Sequence, residues 1–413
     1  MSSLSVFDEV QLSLFSKSVS GSGFPLEYQG LTDEELPFYK VSSLGSISSD
    51  GFIGGSENSI SRDTARILGS SVISAGSILL AKIGEAIFLS RFAMTRLPSC
   101  IDNNMLALEI DPKLADPRFV LYALNTLDVS LLVNPGPVPS LSVKGLGRFR
   151  IPLPDLTTQQ RIAEYLDTEL GEMDAMVARL EKLIADLEAR RKTVITEKVT
   201  GQHPSERVGV DNYTFDEVQL SLFSKSVSGS GFPLEYQGLT DEELPFYKVS
   251  SLGLMSNDGF MGDAVNSISR DTAQILRAPI ISAGSILLAK IGEAIFLARF
   301  AITTRPSCID NNMLALEIDQ KLANPRFVLY ALNTLDVSLL VNPGPVPSLS
   351  VKGLGHSRIP LPDLDTQRRI AAELDEETAA IDGIIARSRT LIDDLKARKS
   401  ALITEVVTGR KQV

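Results

Sequence analysis

A shift of 208 positions lays the second half of this chain over the first without a gap. Phe7-Asp8-Glu9-Val10-Gln11-Leu12 returns as Phe215-Asp216-Glu217-Val218-Gln219-Leu220. Cys100-Ile101-Asp102-Asn103-Asn104 returns as Cys308-Ile309-Asp310-Asn311-Asn312, and Pro152-Leu153-Pro154-Asp155 as Pro360-Leu361-Pro362-Asp363. A period this long is a duplicated domain; solenoid units run to only a few tens of residues. Whatever one copy folds into, the other must fold into as well. About twenty positions of the globular part differ. They gather at 46–57, 66–72, 94–97 and 148–149, and several rewrite charge: Arg66 becomes Gln274, Gly69 becomes Arg277, Leu97 becomes Arg305 and Arg148 becomes His356. Drift in surface loops and retuning of a binding surface both fit this pattern.

The chemistry available to both copies is limited. His203 falls between the copies and His356 occurs in one only, so neither can serve both halves. Cys100 and Cys308 are one cysteine counted twice, which argues against a disulfide framework and for a reducing cytoplasm. Metal-ligand spacings of the CxxC or HExxH type and a GxxxxGK[ST] phosphate loop are absent, so no cofactor or metal is expected. Gly21-Ser22-Gly23 reads as a flexible turn, and Cys100 as a core residue. The start MSSLSVFDEVQLS lacks the pattern of a signal peptide, and no apolar run reaches the length of a membrane span. A non-catalytic, cytoplasmic chain is the expectation. The formal net charge of -11 stands against a nucleic-acid partner, since phosphate binding favours a basic balance.

Each copy ends in a long helical pattern. The start is expected at Thr157, with Gln160 completing a capping box and Pro154 just before it. The expected helix-pair core is Ile162, Leu166, Met173, Val177, Leu180, Ile184 and Leu187, joined by Ile370, Leu374, Ile381, Ile385, Ile392 and Leu395. The central steps alternate four and three, as along a coiled-coil seam. Thr200-Gly201 and Thr408-Gly409 supply the stops. A narrow apolar stripe needs a partner, and the simplest one is the other copy's helix. Each helix is about 60 Å long at its residue rise. The linker from Gly201 to Phe215 reaches about 50 Å at most. An antiparallel pair with approximate two-fold symmetry therefore fits better than a parallel one.

The rest of each copy reads as short strands and turns with one helix. Phe38–Val41, Ser77–Ile83 and Asn104–Ile110 are strand-like, and Ala86–Leu89 reads as a hairpin continuation. Pro117 to Leu132 has helical spacing behind Asp116. The fold class is α+β: two near-identical mixed α/β domains separated by an antiparallel pair of long helices. The expected divisions are 1–154 for the first domain, 155–201 for the central helix, 202–215 for a linker, 216–362 for the second domain and 363–409 for the C-terminal helix.

This organisation resembles the specificity subunit of type I restriction–modification systems. The helix starts carry the likeness: Ile151-Pro152-Leu153-Pro154-Asp155-Leu156, then Gln159-Gln160-Arg161-Ile162-Ala163 and Leu166-Asp167. The pattern recurs at Ile359–Asp363, Gln367–Ala371 and Leu374-Asp375. The helix ends Val194–Gly201 and Leu402–Gly409 and the strand Ser74–Gly84 are also family-like. The resemblance implies two target-recognition domains that each read half of a bipartite site in double-stranded DNA. It further implies helices that dock two methyltransferase subunits, with motor-nuclease subunits joining for cleavage. The family pairs dissimilar domains; near-identical ones imply inverted half-sites and a gapped, near-palindromic target.

No contact residue carries over from the family. Cations, amides and hydroxyls in loop-like positions suit DNA edges and phosphates. They are Lys82, Arg91, Asn103, Asn104, Ser140, Ser142 and Lys144, with counterparts Lys290, Arg299, Asn311, Asn312, Ser348, Ser350 and Lys352. A protein-only scaffold and an acidic DNA mimic are the competing readings. The acidic run Asp33-Glu34-Glu35 is short for a mimic.

Overall fold

A computed structural model describes residues 6–48, 50–201 and 215–413. The expected linker 202–215 lies almost wholly outside the described residues. Two compact units emerge: unit 1 joins residues 1–181 to 389–413, and unit 2 is 182–388.

Unit 1 contains β1 (Glu9–Gln11), β2 (Ser16–Ser20), β3 (Leu36–Tyr39), β4 (Ser59–Ile60), α1 (Arg62–Ile67), β5 (Ile78–Ala81), β6 (Ala93–Met94), β7 (Cys100–Ile101) and β8 (Met105–Ile110). Then follow α2 (Pro117–Leu124), β9 (Val133–Asn134), β10 (Ser140–Leu141), α3 (Val143–Arg148), β11 (Arg150–Pro152) and the first part of the long helix α4 (Leu156–Thr200), whose end belongs to unit 2. The main sheet is antiparallel in the order β2-β8-β5-β6. Its register sets Val19 against Ala107 and Leu79 against Ala107. All four residues of β5 are buried, as expected of an interior strand with a continuous apolar run. A smaller sheet, β4-β3-β7, pairs Phe38 in parallel with Cys100. Beneath it Phe24 stacks on Phe38, the ring centroids 3.8 Å apart. Cys100 is fully buried in this satellite core, which is the role expected of it.

α2 forms for legible reasons. Asp116 caps it by accepting from the Arg118 and Phe119 amides, and Pro117 sits in the first turn, where a missing N–H is harmless. It buries Phe119 through Leu124 against the main sheet. The helical spacing over 117–132 resolves into α2 and a separate 3-10 turn at Val129–Leu132, capped by Asp128. The Ala86–Leu89 expectation also changes. Gly84 takes φ +92 and donates its amide to the Pro139 carbonyl, so the strand stops and Glu85–Leu89 winds into a 3-10 turn.

β1 pairs with β11, setting Val10 against Ile151, and so ties the start of the domain to the residues that launch α4. The helix starts earlier than the capping-box reading placed it. Asp155 is the cap: its carboxylate accepts from the Thr158 amide at 3.0 Å and hydroxyl at 2.7 Å. Thr157 is therefore inside the first turn. The other end is as expected, with Gly201 at φ +74.

Unit 2 repeats every element. It comprises β12 (Glu217–Gln219), β13 (Ser224–Ser228), β14 (Leu244–Tyr247), β15 (Ser267–Ile268), α5 (Arg270–Ile275), β16 (Ile286–Ala289), β17 (Ala301–Ile302), β18 (Cys308–Ile309) and β19 (Met313–Ile318). After these come α6 (Pro325–Leu332), β20 (Val341–Asn342), β21 (Ser348–Leu349), α7 (Val351–His356), β22 (Arg358–Pro360) and the first part of α8 (Leu364–Val407), whose end belongs to unit 1. Its main sheet runs β13-β19-β16-β17.

The long helices pack in opposed directions within each unit. In unit 1 the start of α4 meets the end of α8: Ile162, Leu166 and Leu170 share a core with Leu402, Val406 and Val407. Lys399 Nζ lies 2.6 Å from Asp174, and Lys411 Nζ donates to the Tyr165 hydroxyl. In unit 2 the end of α4 meets the start of α8: Val194, Ile195 and Val199 share a core with Ile370, Ala371 and Leu374. Arg191 Nε lies 3.0 Å from Asp382, and Lys198 pairs with Glu373 and Glu377. The 208-position shift carries Asp174 to Asp382 and Arg191 to Lys399. The same pair thus occurs twice with the helices' roles exchanged. Of the expected helix-pair core, Ile162, Leu166, Ile370, Leu374, Ile385 and Ile392 are buried, whereas Met173, Val177, Leu180, Ile184, Leu187, Ile381 and Leu395 are half-buried. Among the described residues no helix is long and apolar enough to cross a membrane.

Candidate functional site

The main sheet ends in a polar cluster assembled from three distant segments. The Lys82 amide donates to the Asn104 carbonyl at 2.7 Å, and the Leu141 amide donates to the Lys82 carbonyl at 2.8 Å. Ile83 bridges Ser140. Lys82, Asn103, Asn104 and Ser140 are therefore neighbours, although up to 58 positions separate them in the chain. Asn103 is exposed; Lys82, Asn104 and Ser140 are half-buried. The Asn104 amide donates to the Asp102 carboxylate at 3.1 Å, which fixes the tight turn between β7 and β8.

Three members of this cluster were not singled out from the sequence. Asp102 is buried, and burial pushes its carboxyl up against the Asn104 amide and the Lys40 and Lys82 charges, which pull it down. Lys40 extends to Gln29, with Nζ 2.9 Å from Oε1. Gly21 is a close-approach glycine rather than a flexible turn: a Cβ there would stand 1.9 Å from the Asp102 carbonyl oxygen. Only glycine permits that backbone contact. Ser22 beside it has a buried hydroxyl with no hydrogen-bond partner, and Ser230 repeats this in unit 2. A glycine within an otherwise extended stretch was the signal available in the sequence.

The remaining candidates fall elsewhere. Arg91 is exposed and reaches the Leu44 carbonyl at 3.4 Å. Ser142 caps α3, its hydroxyl accepting from the Gly145 amide at 3.1 Å. Lys144 is exposed on α3 and lines an open cleft of about 480 Å³ with Ser13, Ser16, Ser18 and Arg148. Unit 2 reproduces these positions. The Lys290 amide donates to the Asn312 carbonyl at 2.7 Å, with Asn311 on the same turn. Asn342 donates to the Ser348 hydroxyl at 3.4 Å, and Ser350 caps α7. Arg299 lies beside Gly253, and Lys352 sits on α7 as Lys144 does on α3. Asp310 is shifted upward for the same reason as Asp102, burial first.

The helix-start motif has a structural job. Gln159 is buried; its carbonyl oxygen accepts from the Asp116 amide at 2.8 Å, and its amide group donates to Leu114 and Pro154. Asp167 accepts from Arg118 and from the Tyr122 hydroxyl, the latter at 2.5 Å. Gln367 and Asp375 do the same in unit 2. Burial, then the hydrogen bond to Asp375, push the Tyr330 hydroxyl up to about 12. The Gln and the Leu-Asp of the motif thus bolt the start of each long helix onto its own domain. Among the described residues, no group of three or more His, Cys, Asp and Glu could hold a metal ion.

Comparison with known proteins bears on what such a site serves. Residues 26–184 match the family model described as "Type I restriction modification DNA specificity domain". The chain is 31% identical over 125 residues to the EcoBI specificity subunit of Escherichia coli, a match that covers 28% of this chain and 26% of that protein. It therefore spans about a quarter of that relative. It is 22% identical over 330 residues to the MjaVIII specificity subunit of Methanocaldococcus jannaschii, covering 76% of this chain and 74% of the other. A chain from a structure described as the basis of complex assembly and conformational transition of the type I R-M system superposes with TM-score 0.71 at 17% identity, over 97% of each chain. The HsdS subunit from Thermoanaerobacter tengcongensis gives TM-score 0.54 at 18% identity, over 98% and 97% of the two chains. At these identities the superpositions establish a shared fold.

Proposed function

We propose that this chain is a member of the type I restriction–modification DNA specificity family and reads a bipartite, near-palindromic site in double-stranded DNA without catalysing a reaction itself. Its partners are two methyltransferase subunits, which supply the chemistry, and motor-nuclease subunits. The observation that carries the reading is the exchange of roles between the long helices. The same domain, bolted by the same Gln and Asp, recurs with the opposite helix end packed beside it. Two near-identical readers, each with the opposite helix end beside it, suit inverted half-sites. The reader of each half is the cluster of Lys82, Asn103, Asn104 and Ser140, or Lys290, Asn311, Asn312 and Ser348, where amides can pair with adenine and lysine with guanine or phosphate. Lys144, Arg91 and their counterparts contact the backbone. Ser142 and Ser350 act through the helices they cap. The working division is a domain in each copy, 1–154 and 216–362, each followed by its helix, in a cytoplasmic protein.

The net charge of -11 favours one competing reading, a scaffold that binds protein only. Exposed Met176, Leu183, Ile384 and Leu391 on the helices would serve such a scaffold equally well. A salt-titrated binding assay with methyltransferase subunits present separates the two. DNA reading requires log affinity to fall linearly with log salt, with a slope near -0.9 per phosphate contacted. A slope near zero, or no DNA retention, supports the scaffold. Because the chain is acidic, the complex is expected to bind far more tightly than the chain alone.

A further inference from the structure

The differences between the copies are not scattered over their loops. Residues 21–45 and 125–147 are identical to 229–253 and 333–355, although many of them are exposed. About half of all the differences fall in 46–57 and 94–97. The fold brings those two segments together. In unit 1 the Ile53 amide donates to the Met94 carbonyl at 2.9 Å, the Met94 amide donates to Gly51 at 2.9 Å, and Arg96 pairs with Asp50. The remaining differences lie chiefly at 66–72 and 148–149, whereas the loops of 21–45 and 125–147 carry none.

The interior of this patch has been conserved in volume while its surface was rewritten. Buried Ile53 and Met94 become Met261 and Ile302, an exchange of the same two side chains across one backbone contact. Such volume-conserving swaps keep a core intact. On the outside, Gly55 becomes Asp263, Glu57 becomes Val265, Arg96 becomes Thr304 and Leu97 becomes Arg305, all at exposed positions. A guanidinium has thus moved one position along the chain.

Arg96 is built as a presented arginine. Its guanidinium lies 4.0 Å from the Phe52 ring centroid and is paired with Asp50, yet 55% of its side chain is exposed. A cation held over a ring and oriented by a carboxylate has lost much of its freedom before any ligand arrives. It borders a shallow cleft of about 420 Å³ lined by Phe52, Met94, Thr95 and Arg118. In unit 2 the equivalent ring, Phe260, keeps Arg326 at 5.0 Å, as Phe52 keeps Arg118 at 5.3 Å, and the Arg305 charge acts on Tyr247.

From this placement we infer that Arg96 and Arg305 are specificity-determining residues that make the two half-sites differ at one or two base pairs, Arg96 reading a guanine edge. The inference rests on the DNA-reading function proposed above. Residues common to both copies then read the part of the site that both halves share. Bidentate arginine–guanine contacts discriminate by about ten-fold to a hundred-fold, so Arg96→Ala should lose that much at one position of one half-site.

The test is to select from a randomised DNA library with the chain bound to its methyltransferase subunits, and to sequence what is retained. The wild-type motif should have halves that match except at one or two positions. Replacing 46–57 and 94–97 by the residues of 254–265 and 302–305 should make the halves identical. Arg66→Gln, a difference outside the patch, should leave the motif unchanged. The transplanted residues already coexist on this scaffold in unit 2, and Arg96→Ala removes only an exposed side chain, so folding failure does not shield the idea. Identical wild-type halves, or asymmetry that survives the transplant, overturns the assignment while leaving the DNA-reading function intact. No enriched motif in the wild type overturns both.

Discussion

Leu402→Ala is the sharpest perturbation of the helix packing in unit 1. Leu402 is fully buried near the end of α8 and shares a core with Ile162, Leu166 and Leu170 from the start of α4. The substitution removes roughly 2.4 kcal/mol of transfer free energy at about 0.8 kcal/mol per CH₂. A residual cavity adds to this, because two helices anchored on one sheet domain cannot close fully. The expected total is about 3 kcal/mol. With a urea m-value of about 2–3 kcal/mol/M, the unit 1 transition should move down by about 1 M or more. Leu391→Ala is the control: that side chain is 42% exposed and should cost under about 0.5 kcal/mol. Hydrogen exchange over the last turns of α8 should accelerate in step. If Leu402→Ala costs no more than Leu391→Ala, the end of α8 does not pack on the start of α4, and the opposed packing in unit 1 is wrong.

Other consequences follow from single contacts. Gln159→Leu leaves the Asp116 amide and the Pro154 carbonyl without their partner, so it should destabilise unit 1 by about 2–4 kcal/mol, measured by denaturant unfolding. Arg277 adopts φ +49 where the other copy has Gly69 at +60, so Arg277→Gly should raise the stability of unit 2 by about 0.5–1 kcal/mol in thermal unfolding. In unit 2, burial lowers the proton affinity of Lys198, but Glu377 and Glu373 more than offset this and hold its pKa above the usual value; Lys198 in turn holds Glu373 below its usual value. The lysine's contribution is full below about pH 10.4 and is lost as pH rises through its folded value, and the glutamate's is full above about pH 4.3 and is lost as pH falls through its folded value. Lys198→Met should flatten both limbs of the stability–pH curve of unit 2.

The large-scale plan was legible because it depends on local signals repeated many times. Two long helices follow from eight or more apolar residues in register without proline, and α2 follows from Asp116-Pro117 and its apolar face. What was not legible depends on distant partners. The Gln159 side chain reaches back 43 positions to Asp116, so its role as a bolt cannot be read from a helix-start motif. Glu85–Leu89 has the composition of a strand, but the bond from Gly84 to Pro139 turns it. Ser142 reads as a loop hydroxyl until the fold places a helix after it. The candidate site was half legible. Lys82, Asn104 and Ser140 each show DNA-suited chemistry in the sequence, whereas their meeting at one end of the sheet, with Lys40, Asp102 and Gly21, arises from strand pairing across most of the domain.

On the proposed function, two matching readers address DNA in opposite orientations. Methylome sequencing of a host carrying this chain with its methyltransferase partners tests it most directly. One gapped motif is expected, its halves inverted copies of each other apart from one or two base pairs. Unrelated halves, or halves repeated in the same direction, would contradict it.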